Sequence, residues 1–127
     1  MNAMHAMSAA TALALSLTLT APDRAVAQGG GDPKAQAQEI FANRCTPCHG
    51  PSGKGDGPAS KGLTPPPRNF GDPAWQASVT DDHIEKIIKF GGAAVGKSPA
   101  MPANPDLMAK PQVVTELKNI VRGFKGQ

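Results

Sequence analysis

Tyrosine is absent from this chain, tryptophan occurs once and phenylalanine four times in 127 residues. Large apolar side chains are scarce, and a chain of this size would struggle to bury enough surface with them alone. Cysteine occurs only twice, and both copies fall within one pentapeptide. No run of Lys or Arg exists and none is interleaved with aromatics, so the formal charge of +3 is no nucleic-acid footprint. No strand pattern longer than a few residues is present, nor any internal repeat. The composition is instead rich in breakers, with 14 Gly and 13 Pro. A large apolar group held at the centre would offset both the thin core and the abundance of loop.

Residues 1–27 read as a secretory signal peptide. An apolar stretch runs from Ala9 to Leu19, too short for a span of about 20 residues. Ala25-Val26-Ala27 then supplies an A-x-A cleavage site. The n-region lacks Lys and Arg, and Met4 or Met7 would also serve as a start. The expectation is export to the periplasm, cleavage after Ala27, and one domain over residues 28–127.

Asp32-Pro33 starts a helix, with Asp as N-cap and Pro at the first helical position. Ala37, Ile40, Phe41 and Arg44 share a face, and the helix ends near Gly50. Pro51 to Phe70 is too dense in Gly and Pro for a regular element. Asp72 to Trp75 opens a short helical turn. Thr80 caps a second main helix bearing Ile84, Ile87 and Ile88, closed by Gly91-Gly92. Ala93 to Asp106 is loop. Pro111 opens a third main helix carrying Val113, Val114, Leu117, Ile120, Val121 and Phe124. The fold class is all-α, with three main helices and long loops that make sense when wrapped on a fixed group.

Both cysteines lie in Cys45-Thr46-Pro47-Cys48-His49. This C-x-x-C-H arrangement attaches a c-type haem. Two thiols spaced by two residues on a helical turn add across the two vinyl groups, and the following histidine lies beneath the iron. Its other ring nitrogen needs a carbonyl to fix it, and Pro65 or Pro66 is the expected owner. Three rival readings exist. A zinc site would recruit Cys45, Cys48, His49 and His83, without a second paired motif. A thioredoxin-like redox pair needs a strand before Cys45. A plain disulfide leaves His49 unexplained.

The second iron ligand decides what the haem does. His5 leaves with the signal peptide. His83 reads as an exposed or capping residue and Met108 as a packing residue. Met101 stands between Pro99 and Pro102, where stiff backbone sets its direction. A thioether there suits an electron-carrying iron and raises its potential.

With CTPCH at 45–49 and SPAMP at 98–102, in the order helix, haem motif, loop, helix, methionine loop, helix, the chain resembles the single-haem class I cytochromes c of bacteria. The resemblance spans about residues 33–124. It implies the cytochrome c fold, with one covalent haem c on Cys45 and Cys48 and axial ligands His49 and Met101. It also implies a crossing of the first and last helices with Phe41 in the contact. Ala37 replaces a frequent Gly and Ile120 a frequent aromatic, which implies a wider crossing filled by Phe124. Arg68 and Trp75 are candidates for hydrogen bonds to the haem propionates. The implied function is one-electron transfer between periplasmic redox partners, with Lys54, Lys61 and Lys97 steering acidic ones. The competing implication is a haem-relay subunit of a larger dehydrogenase or oxidase. A haem enzyme or gas sensor would need an acid–base pair beside an open iron, and none is evident. No nucleic-acid partner and no membrane span are expected.

Overall fold

Asp32 caps the first helix, its Oδ1 accepting from the Lys34 amide at 3.2 Å. A computed structural model describes residues 31–127 of the chain. The expected signal peptide and its cleavage site lie outside the described residues. Helix α1 runs Pro33–Ile40 and continues through one wide π turn, Phe41–Cys45, into α2, Thr46–His49. Helix α3 spans Pro73–Ser78, α4 Asp81–Phe90 and α5 Pro111–Gly123. Short 3₁₀ turns at Pro58–Ser60, Ala93–Val95 and Pro105–Ala109 punctuate the loops. No strand occurs among the described residues. The architecture is all-α.

The core sits where α1 and α4 pack on α5. Ala37 is wholly buried where α1 packs on α5. Helix α5 contributes Val113, Val114, Leu117 and Val121, and α4 contributes Ile84 and Ile88. Each such side chain contributes roughly 1.5–3 kcal/mol when taken from water. Ile40, Ile87 and Ile120 are only half-buried. Phe124 lies 5.6 Å from Phe41, ring centre to ring centre, so it fills the crossing as expected. Met108, expected to pack, is 60% exposed. The buried residue of that turn is its neighbour Leu107, because the turn presents only one side to α4 and α5.

Arg122 ties three elements together. Its Nη1 donates to the Gln76 carbonyl (2.8 Å) and its Nη2 to the Val79 carbonyl (2.8 Å). On the other side it pairs with Asp81 at 2.7 Å, and Lys118 reaches the same carboxylate at 3.2 Å. The hydrogen bond from Arg122, and next that from Lys118, hold the Asp81 carboxyl below its ordinary value. A native value below the unfolded one makes this contribution complete above about 3.9, and it is lost as pH falls through the lower native value.

Two outcomes are expected. Asp81→Asn lowers the melting temperature near neutral pH, and the gap to the unaltered protein closes in acid. Thermal melts across pH check this, and a gap that persists in acid discards it. Gly57 lies so near the motif helix that an added Cβ would overlap the Pro47 carbonyl oxygen. Gly57→Ala therefore costs about 1–3 kcal/mol, as overpacking does, read by denaturant unfolding of the haem-loaded protein.

Candidate haem-attachment site

Pro47 has no N–H to continue the α-helical ladder, and the helix widens by one residue just before it. Both the Thr46 amide and its hydroxyl donate to the Phe41 carbonyl, the hydroxyl at 3.1 Å. Gly50 ends the helix at φ 78°. The chain then folds straight back. The Gly55 amide donates to the His49 carbonyl (2.8 Å) and the Gly57 amide to the Cys48 carbonyl (3.1 Å). Two carbonyls that the helix end leaves orphaned are thereby satisfied.

His49 is only 9% exposed. Its Nδ1 lies 3.3 Å from the Arg68 carbonyl oxygen. A carbonyl only accepts, so Nδ1 carries the proton and Nε2 keeps its lone pair. Burial, opposed by that hydrogen bond, depresses the imidazole pKa and holds the ring neutral. The ring also stacks on Phe70, centroids 4.3 Å apart and planes 18° from parallel. Arg68 replaces the expected Pro65 or Pro66 as owner of the carbonyl. The loop reaches the ring only after the triple proline, both expected prolines being exposed.

Cys45 and Cys48 are separate, half-buried thiols. Burial pushes the Cys45 thiol up to about 11, against the pull of the Arg44 charge. Among the described residues no three His, Cys, Asp or Glu side chains gather to hold a metal ion, so the zinc reading loses its ligands. Among the described residues no strand precedes Cys45, as a thioredoxin-like redox pair would need. His83 sits in the first turn of α4, its amide donating to Thr80 Oγ1 at 3.2 Å. Two soft sulfurs and a neutral, oriented imidazole on one turn fit haem c. Cys45 and Cys48 would hold it by thioethers and His49 Nε2 would ligate it.

Met101 is half-buried in a loop pinned at both ends. Its carbonyl accepts from the Gly92 amide at 3.0 Å, and its amide donates to the Ser98 carbonyl at 3.3 Å. A Cβ on Gly92 would overlap the Ser98 carbonyl, so only glycine lets this loop close on the end of α4. Asn104 anchors the far end through the Ile88 and Lys89 carbonyls, at 2.9 and 3.0 Å. Arg44, next to Cys45, reaches Asp106 at 3.0 Å and Asn104 at 3.3 Å. The motif turn and the methionine loop are therefore linked, although no hydrogen bond joins His49 to Met101.

The Arg68 guanidinium lies 5.9 Å from the Trp75 ring centre, and Trp75 lies 5.6 Å from Phe70. Arg68, Trp75 and His49 thus form one cluster through Phe70. Phe70, Gln76 and Arg122 were not picked out from sequence. Of these, only Phe70 carried a signal, as a lone aromatic closing a proline-rich loop. A groove of about 380 Å³ between the starts of α1 and α5 lies away from this cluster.

A sequence model of the family described as Cytochrome c matches residues 34–119. Among solved structures, the KustC0563 c-type cytochrome aligns with a TM-score of 0.53 and 29% identity, covering 70% of this chain and 96% of that one. No curated protein matches at a significant level. With the helical fold, the motif turn and a family match over most of the chain all in agreement, the chain belongs to the cytochrome c family as a class I c-type cytochrome, whose work is electron transfer through a covalently held haem.

Proposed function

We propose that the protein carries one electron at a time at a single haem c ligated by His49 and Met101, passing it between redox partners in the periplasm. The observation that carries this reading is the state of His49. Its ring is neutral, protonated at Nδ1 by the demand of the Arg68 carbonyl, and oriented by Phe70. Haem c supplies the ferrous–ferric couple. The chain keeps the rearrangement small. Cys45 and Cys48 fix the group to one turn, His49 offers a preset lone pair, and the stapled loop brings a soft sulfur. Arg68 and Trp75 would face the propionates. The signal-peptide pattern of residues 1–27 supports the periplasmic setting.

Lys54, Lys61 and Lys97 are exposed, and none joins an ion pair among the described residues. They are free to steer an acidic partner.

Met101→Ala should abolish the weak far-red absorption of methionine-ligated ferric haem and lower the midpoint potential. An unchanged spectrum refutes Met101 as ligand. His49→Ala should prevent stable loading with haem of normal low-spin spectrum, read optically on purified protein. Electron exchange with an acidic redox protein should slow as salt rises. A rate indifferent to salt, measured by stopped flow, discards the steering role of the three lysines.

A further inference from the structure

We propose that Gln76 is a positioning residue for His49, acting through Phe70. The proposal rests on the reading of His49 as an axial ligand. Phe70 stacks on the imidazole, and Arg68, two residues earlier, accepts its Nδ1 proton. Whatever holds the 68–70 segment therefore holds the ring. At its amide, Phe70 donates to the Gly53 carbonyl at 2.7 Å. At its carbonyl it accepts from Gln76 Nε2 at 2.8 Å.

Gln76 is 5% exposed, and both its N–H donors and its oxygen are engaged. The second Nε2 proton goes to the Val121 carbonyl in α5, also at 2.8 Å. Its Oε1 accepts from Arg122 Nη1 at 3.0 Å. The guanidinium fixes which way the amide faces, and the amide then clamps the Phe70 segment to α5. A residue that only filled this space would be apolar, because burying an amide is costly unless each group finds a partner. Here every partner lies on the path from α5 to the histidine.

The consequence concerns the ligand itself. A firm Nδ1–H···O=C bond makes the opposite nitrogen a stronger donor to iron and favours the ferric state. A slack 68–70 segment weakens that bond and destabilises the ferric form.

The test uses haem-loaded protein carrying Gln76→Leu or Gln76→Asn, the latter too short to span both carbonyls. Ile84→Ala, an apolar side chain buried in α4 that can make none of these hydrogen bonds, serves as a destabilised control. Midpoint potential and solvent exchange of the His49 Nδ1 proton in the ferrous protein are measured beside the melting temperature. An upward shift in potential with faster exchange in the Gln76 variants, absent in the control, is the expected result. Lower melting temperatures with potential and exchange no different from the control overturn the proposal. If Gln76→Leu does not load haem, Gln76→Asn carries the measurement. If the unaltered protein shows no ligated haem spectrum, it is the reading of His49 that fails.

Discussion

The hydrogen bond from His49 Nδ1 to the Arg68 carbonyl constrains most of what surrounds it. It joins the end of a helix to a point 19 residues further along the chain. For the carbonyl to arrive there, the loop must turn back immediately after Gly50 and run close against the motif. Gly55 and Gly57 permit this by donating their amides to the last carbonyls of the turn. Gly53 permits it by lying against the Phe124 ring, where a Cβ would come within 2.9 Å. The long, breaker-rich segment is thus tightly held rather than slack. Two of its amides are satisfied by the turn that carries the cysteines and the histidine, and others, such as that of Phe70 on the Gly53 carbonyl, within the loop itself.

Scarcity of aromatic residues is met by concentrating them. Of five Phe and Trp residues in the chain, four form one contiguous cluster: Phe41 against Phe124, Phe124 against Phe70, and Phe70 against Trp75. His49 joins through Phe70. Phe90 stands outside at 41% exposure. Ring pairs of this kind contribute about 0.5–1.5 kcal/mol beyond the area they bury. The cluster also joins the crossing of α1 and α5 to the histidine, so packing at the helical core bears directly on the site.

What could be read from the sequence follows the range of the interactions concerned. Helix starts at Asp32, Asp72 and Thr80 were legible because each cap is made within three residues. The cysteine motif was legible because its chemistry is contained in five residues. The Arg68 carbonyl was not, since any residue owns a carbonyl and only the path of the loop selects one. Gln76 and Arg122 were invisible for a similar reason. Their partners lie 45 and 46 residues apart, and in sequence they read as a polar residue in a short turn and a cation near a helix end. Met108 misled because apolar character alone does not say which side of a turn faces inward.

The two sides of the proposed iron site are held unequally. The histidine side rests on a buried amide, ring stacking and backbone bonds sealed by α5. The methionine loop rests on Gly92, Asn104 and the Arg44–Asp106 pair, whose side chains are 45% and 47% exposed. Exposed pairs of this kind contribute little, and salt weakens them. Local opening starts where few buried contacts oppose it, and no residue of the 96–106 loop is buried. The cysteine thioethers would keep the haem in place through such an opening, and His49 would stay oriented. Loss of the proposed methionine ligand would then be local and reversible, separable from unfolding of the helices. The unequal support follows from the topology. The histidine packs on Phe70 of its own returning loop, which Gln76 ties to α5, whereas the methionine loop is pinned to the end of α4 and, among the hydrogen bonds of the described residues, is tied to the motif through Arg44.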